Sequence, residues 1–250
     1  MGRIALEKGA SQLVIWDINP ENIQKTITEL TPKGKVSGYV VNVADADAVR
    51  KAYEQVCSEC GGVDILINCA GVVRGNKTFE NQTIEDINLT LDINTKAPMF
   101  TTLAMLPDML SRNSGHICNI ASAGGMIANP KMSVYAASKW AAIGWSDSVR
   151  IELAQRRSKV RITTVAPYFI NTGMFDGVRS PIIPILNAER TARKIIRAIE
   201  HNRDFRGIPF GMHFIRLMQG LLPVAFFDFF FGRVFGIYSA MDNFTGRKTK

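Results

Sequence analysis

Short apolar runs alternate with longer stretches of helical periodicity from one end of the chain to the other. Five runs rich in Val and Ile read as strands: Gln12 to Trp16, Val36 to Val41, Val63 to Asn68, His116 to Ile120 and Arg161 to Ala166. Their near-continuous apolar character predicts a parallel sheet covered on both faces. Helical spacing predicts helices over Pro20 to Leu30, Asp45 to Cys60, Thr95 to Arg112, Ser133 to Arg157 and Ala188 to Glu200. Pro20 suits a first helical position, and Gly34 and Gly115 fall in loops after helices. Repeated strand-helix units without an internal repeat or linker predict an α/β fold, a doubly wound parallel sheet in one domain.

The rhythm changes near the end. Residues 1–209 carry the strand-helix pattern, whereas 210–250 form an aromatic-rich extension with Phe226, Phe227, Phe229, Phe230 and Phe231. Pro223, Asp228 and Arg233 interrupt it, so no uninterrupted span of bilayer length is present there. Two readings stay open: a substrate-pocket lid or oligomer contact, and a helical hairpin lying in a membrane interface beside Arg206, Arg216 and Arg233.

At 250 residues, 46% of them hydrophobic and 21% charged, the chain can bury a sizeable core. The formal charge of +8 raises the question of nucleic acid, yet the charge is scattered. Local concentrations at Arg156, Arg157, Lys159 and Arg161, and at Arg247, Lys248 and Lys250, lack the interleaved aromatics of a single-strand binder. Attraction to an anionic membrane surface remains open, and no nucleic-acid partner is expected. Four cysteines without framework spacing suggest a reducing compartment, and no secretory signal pattern opens the chain, so a cytoplasmic location is expected, with association to a membrane left open. Cys57 and Cys60 form a C-x-x-C pair with no second Cys/His pair, so no metal site is expected.

Tyr135 and Lys139 stand four apart at the start of a helical segment, on one face and within mutual reach. A free phenol ionises near pH 10, and a nearby ammonium favours its phenolate, so the pair predicts an acid/base tyrosine with a lowered pKa. Ser122 lies just past the strand ending at Ile120, where α/β proteins place ligands. Small residues surround both, among them Ala123, Gly124, Gly125, Ala136 and Ala137, which lets a flat ligand approach the backbone.

Asn68-Cys69-Ala70-Gly71 after a strand, Asn94 before a helix, Ser122, Tyr135-x-x-x-Lys139 and the loop Pro167 to Thr172 occur in the order and approximate spacing of classical short-chain dehydrogenases. The chain resembles that family over nearly its whole length, which implies a Rossmann-like fold and hydride transfer between a nicotinamide cofactor and an alcohol or ketone. By the resemblance Asn94 helps hold a proton relay, Ser122 orients the substrate, Tyr135 is the acid/base, and Lys139 binds the nicotinamide ribose and tunes Tyr135. Asn68, Ala70 and Gly71 would line the cofactor, with Pro167, Ile170 and Thr172 closing over its nicotinamide end. Asn42-Val43 resembles the family's adenine-contacting Asp-Val, with Asn in place of the acid. Asp17, ending the first strand, can accept from a ribose hydroxyl and repel a phosphate, so NAD is expected over NADP.

The stretch Leu13 to Asn19, the loop Pro167 to Phe175 and the aromatic end look like the branch that contains membrane- and lipid-droplet-associated retinol dehydrogenases and 17β-hydroxysteroid dehydrogenases. Tyr168 replaces the glycine usual after the loop proline. Met126, Met132, Met174 and Phe175, with the aromatic end, suggest a lipophilic alcohol or ketone, and the long helices around Thr95 to Arg112 and Ser133 to Arg157 suggest a homo-oligomer.

One departure matters. The family's first strand and glycine-rich turn do not occur in these residues, and Met1 to Ala10 read as the latter part of the helix that follows them. An upstream segment of roughly twenty residues, by the size of a strand plus loop, is the favoured expectation; a truncated relative and a substitute segment are the alternatives. Starting at Met1, the chain would have a gap in its sheet, poor cofactor affinity and marginal folding. Two other functions stay in view: a nucleotide-sugar epimerase or dehydratase, against which no separate substrate domain follows the sheet, and a non-catalytic binding or membrane-associated interaction protein that has lost its phosphate cradle.

Overall fold

The computed structural model describes residues 1–74, 76–180 and 183–246; the basic end at Arg247, Lys248 and Lys250 lies outside the described residues. Six parallel strands are present: β1 (Gln12–Asp17), β2 (Lys35–Val40), β3 (Ile65–Asn68), β4 (His116–Ile120), β5 (Arg161–Pro167) and β6 (Phe205–Ile208). The helices are α1 (Gly2–Glu7), α2 (Pro20–Leu30), α3 (Ala46–Cys60), α4 (Ile84–Leu91), α5 (Ala97–Ser111), α6 (Ser133–Gln155), α7 (Ala188–Glu200), α8 (His213–Leu221) and α9 (Val224–Phe227).

Alternation along the strands sends successive side chains to opposite faces, and each face has its own helical cover. Ile117 and Ile162 pack with Tyr53, Met105, Met109 and Leu153 of α3, α5 and α6. Cys118 and Val165 pack with Ile4 of α1 and with Ile195, Ile196 and Ile199 of α7. This is the two-sided burial that the continuous apolar strands imply.

The strands form two hydrogen-bonded groups, β1-β2 and β3-β4-β5-β6. Among the described residues no strand pairs with the free edges of β1 and β3, the position at which the sequence predicts a gap. Helix α1 spans both groups. Its Gly2 lies so close to Leu13 of β1 that a Cβ would fall 2.6 Å from a leucine methyl, while Ile4 is buried against the larger group. Arg3 pairs with Glu189, and Lys8 with Glu200 at 2.7 Å, fastening α1 to α7.

Element boundaries follow local chemistry. Asn19 accepts from the backbone of Glu21 and Asn22 ahead of Pro20, and Asp45 caps α3 in the same way, so it stands just outside that helix. Two elements lie outside the sequence expectation. β6 is short and interrupted by Arg206 and Gly207, so it lacks an apolar run. α4 merges through a π-helical turn, Asp92–Lys96, into α5, so Asn94 lies inside a continuous helical path rather than before one, and the expected helix start at Thr95 becomes Ala97.

Candidate active site

Strand β4 ends at Ile120, and Ser122 opens a single 3-10 turn by accepting from the Gly124 amide at 3.1 Å. That turn rests directly on α6. A Cβ on Gly125 would sit 2.6 Å from the Lys139 carbonyl oxygen, and one on Gly124 would sit 3.2 Å from the Tyr135 ring, so glycine is what lets loop and helix touch. The close approach brings Ser122 to Tyr135 across thirteen positions of sequence.

Tyr135 and Lys139 are each 5% exposed. The Lys139 ammonium lies 5.8 Å from the centre of the Tyr135 ring and donates to the Ile120 carbonyl at 3.1 Å. The three groups expected to converge therefore do so. Their ionisation differs from expectation: burial pushes the Tyr135 phenol up to about 12, with a hydrogen bond from Ser122 opposing the rise. Burial likewise pulls Lys139 down to about 8, opposed by the Cys69 thiol. Withdrawal from water disfavours both charges, and this outweighs the mutual attraction predicted from their spacing.

Buried asparagines hydrogen-bond the surrounding scaffold together. Asn94, 2% exposed, uses its amide twice on Val72, accepting from its N–H and donating to its carbonyl at 2.9 Å each, and also donates to Ser138 Oγ at 3.1 Å. It pins the segment after β3 to α6, and Thr95 donates to the Ser138 carbonyl beside it. Asn68 donates to Asn119 Oδ1 at 2.8 Å and accepts from Thr101 at 2.7 Å, so its side chain braces β3 against β4 and α5. Ala70 is exposed, and Gly71 faces the site: a Cβ there would meet Asn94 Oδ1 at 3.4 Å and Lys139 Nζ at 3.7 Å.

A narrow, mostly apolar cleft of about 40 Å³ opens over Tyr135. Ser122 and Tyr135 line it together with Ile127, Asn129, Met132, Tyr168, Phe169, Phe175 and Ile237. Phe175 meets the edge of Tyr135 at 6.1 Å and of Phe169 at 5.0 Å, building an aromatic wall. The Tyr168 hydroxyl is 3.0 Å from Ser180 Oγ, so the residue that replaces the usual glycine is a buried, partnered wall element. Pro167 ends β5 within the core, Ile170 bridges to Leu186, and Thr172 donates its N–H to the Ile170 carbonyl from an exposed turn. Met132 belongs to the cleft, whereas Met126 is core. Ile127, Asn129 and Ile237 are the lining residues that sequence reasoning missed; an Ile in a loop, a lone Asn before a proline and one Ile in an aromatic segment carry no readable signal.

At the other end of the β-strand tips, Asp17 accepts from the Asn19 N–H at 2.8 Å, and Asn42 caps the turn after β2 by accepting from Ala44 at 3.1 Å, with Val43 half-buried beside it. The expected cofactor fits at two places. Lys139 stands beside the bare backbone of Gly71 at the expected ribose end, and Asp17 offers a carboxylate at the expected adenosine end. The C-x-x-C cysteines are both free, and Cys60 accepts from Gln12 at 3.0 Å. Among the described residues no group of three His, Cys, Asp or Glu is placed to hold a metal.

The family model for short chain dehydrogenases matches residues 2–182. Epidermal retinol dehydrogenase 2 of Mus musculus is 34% identical over 244 residues, covering 95% of this chain and 78% of that protein. Estradiol 17-beta-dehydrogenase 11 of Homo sapiens is 33% identical over 218 residues, covering 86% and 72% respectively. Among solved structures, a metagenomic short-chain oxidoreductase in complex with NADP shares 28% identity at a TM-score of 0.63, covering 66% of this chain and 74% of that one. A putative short-chain dehydrogenase from Novosphingobium aromaticivorans superposes with a TM-score of 0.75 at 22% identity, over 88% and 79%, and attests the fold. With the serine, tyrosine and lysine converging at the strand tips and a family match over most of its length, this chain belongs to the short-chain dehydrogenases, NAD(P)-using oxidoreductases of CH–OH groups, in the branch of the retinol and 17β-hydroxysteroid enzymes.

Proposed function

We propose that this protein oxidises, or forms by reduction, a lipophilic alcohol using NAD(H). The observation that carries the reading is that Ser122 and Tyr135 line one mostly apolar cleft, with the Lys139 ammonium buried 5.8 Å from the Tyr135 ring. A bound nicotinamide supplies the hydride acceptor or donor. Ser122 Oγ holds the substrate oxygen, and the Tyr135 hydroxyl gives or takes the proton on it. Lys139 holds ribose hydroxyls with its ammonium. Asn94 keeps Val72 and α6 in register, and so acts through position. At neutral pH the Tyr135 phenol keeps its proton, the form that serves carbonyl reduction; oxidation requires the phenolate and gains with rising pH.

Asp17 supports NAD over NADP, because a second carboxylate-facing phosphate would meet like charge at the end of β1. Asn42 and Val43 stand at the next strand tip to flank an adenine, with Asn68, Ala70, Gly71, Pro167, Ile170 and Thr172 forming the rest of the proposed cofactor rim. The test is Tyr135→Phe with folding checked by circular dichroism. Turnover of a long-chain secondary alcohol should fall at least about a hundredfold; unchanged turnover in a folded variant would falsify the assignment.

The same reading places the enzyme at a membrane surface. In α8 and the helical path after it, one row faces inward: Phe227, Phe231 and Phe235 stack at 4.4 and 5.3 Å. A second row faces out, with Phe214, Leu217, Leu221, Phe226, Phe229 and Phe230 each 44% to 66% exposed. No helix among the described residues is long and apolar enough to cross a membrane. An outward apolar row beside Arg216 and Arg233 suits a peripheral position in the headgroup region. Outward Leu103, Trp140 and Ile151 on α5 and α6 support self-association through those helices.

A further inference from the structure

The cleft over Tyr135, at about 40 Å³, has room for about three water molecules, whereas sites for small organic ligands run to roughly 300–1,000 Å³. An alcohol large enough to meet its apolar walls enters only if a wall moves. Two segments of that wall are joined to each other. Residues 173–180 bring Phe175 to the Tyr135 ring, and residues 236–246 bring Ile237 into the cleft. The Arg179 N–H donates to the Ala240 carbonyl at 3.1 Å, and the N–H groups of Thr245 and Gly246 donate to the Asp176 carbonyl at 2.9 and 3.2 Å. Gly177, at φ +84°, seats the two so closely that a Cβ would fall 2.0 Å from the Asn243 carbonyl oxygen. Each segment opens on a left-handed glycine, Gly173 at φ +83° and Gly236 at φ +68°, and element-terminal positions of this kind absorb hinge rotations. Ser180, bonded to the Tyr168 hydroxyl, marks where the first segment rejoins the wall. An ion pair ties the second segment to the loop ahead of α6: Lys131 donates to Asp242 at 2.8 Å, beside the lining residue Met132.

We infer that residues 173–180 and 236–246 form one lid, shut in this structure, and that the Lys131–Asp242 pair is the latch that sets how often it opens. The lid regulates the site of the proposed alcohol chemistry and rests on that reading for the ligand that must enter. Buried Ile237, Ala240 and Met241 favour the shut form, so the open one is the minor state and substrate selects it. Both partners of the latch are partly exposed, so dissolved salt screens their attraction and loosens the lid. Removing either charge raises the open population without touching Ser122, Tyr135 or Lys139.

Amide hydrogen exchange, followed residue by residue by NMR on the whole chain, tests the lid apart from any turnover. The amides of Arg179, Thr245 and Gly246 should share one protection factor, lower than those of β4 and β5, because a single opening breaks all three bonds. Lys131→Met and Asp242→Asn should each speed their exchange by about two- to fivefold, the worth of a partly exposed ion pair. High salt should bring the wild type to the same rate, and Lys131→Asp combined with Asp242→Lys should restore the slower one. Gly177→Ala, whose methyl cannot share space with the Asn243 oxygen, should speed exchange by at least about tenfold while β4 and β5 stay protected. The latch variants should raise kcat/KM for a long-chain secondary alcohol by the factor seen in exchange. Unequal protection of Arg179 and Thr245 overturns the single lid, and exchange indifferent to both latch substitutions overturns the latch. Faster exchange with unchanged kcat/KM overturns the lid as the route of entry. Absence of turnover on any alcohol with either nicotinamide cofactor sinks the alcohol reading, and the lid is then judged on exchange alone.

Discussion

The floor of the cleft and the C-terminal aromatic segment are both rich in buried rings, yet they use burial in opposite ways. Around Tyr135 and Lys139, burial sets ionisation: it holds the phenol protonated and loosens the proton on the amine, while fixed hydrogen bonds keep each atom in place. In residues 210–246, burial sorts the rings into one row that packs on the core and one that faces solvent. The inward row packs into the core cluster behind the cleft, to whose wall the segment contributes Ile237, and the outward row repeats the same apolar chemistry toward solvent. The proposed chemistry depends on the first region and the proposed membrane contact on the second, and the two share one core cluster of side chains.

Breaking the first region should have the largest effect. Lys139→Met should lower kcat/KM by about a hundredfold or more, with cofactor binding weakened. In the wild type, carbonyl reduction should hold level through neutrality and decline above about pH 8, where Lys139 loses its proton; that break should vanish in the methionine variant. A reduction profile with no inflection near that pH would refute the role of the ammonium.

Substitutions in the second region should split according to row. Phe231→Ala removes a stacked inward ring and should destabilise by about 3 kcal/mol, read as a lowered urea midpoint. Phe226→Ser together with Phe229→Ser should change stability by less than about 1 kcal/mol and leave turnover of a water-soluble alcohol intact. Co-sedimentation with vesicles of mixed phosphatidylcholine and phosphatidylserine should nonetheless be lost. Equal destabilisation by both rows would erase the distinction drawn between them.

Two smaller effects sharpen the picture. Asp17→Ala should shift the NAD over NADP preference toward NADP by about tenfold, seen in the ratio of kcat/KM values. His116, buried beside β5 with its ring 2.7 Å from Thr163 Oγ1, is pulled down to about 4 by burial and by the charge of Arg161. The unfolded chain then binds more protons than the folded one between pH 4 and 6.5, so stability should fall as pH drops through that window and stay flat above it. The loss should not exceed about 3 kcal/mol, and thermal melts of wild type and His116→Asn would show it.

Much of this was legible in the chain itself. Strands buried on both faces announce themselves as Val/Ile runs, and β4 matches its predicted span, while capped helices such as α2 begin and end at their side-chain signals. Ser122, Tyr135 and Lys139 were readable because one face of a helix and one strand tip fix their directions. What stayed hidden depends on tertiary contact. The charge states of Tyr135 and Lys139 follow from desolvation that no spacing encodes. Asn68 and Asn94 bond inward to Thr101, Asn119, Val72 and Ser138, partners that only the fold supplies. β6 is held by pairing with β5 in spite of Arg206 and Gly207, and Asn129 reaches the cleft only through the fold of its loop.

The contact at Gly125 reaches further than its size suggests. Because bare backbone there abuts the Lys139 carbonyl, the spacing between serine and tyrosine is set by an atom the chain does not have. Loop and helix thereby hold the reactive pair as one part, with the C-terminal segment packed against it through Ile237. Warming the protein should therefore disable it abruptly, when α6 itself melts, and not by gradual drift of the two hydroxyls.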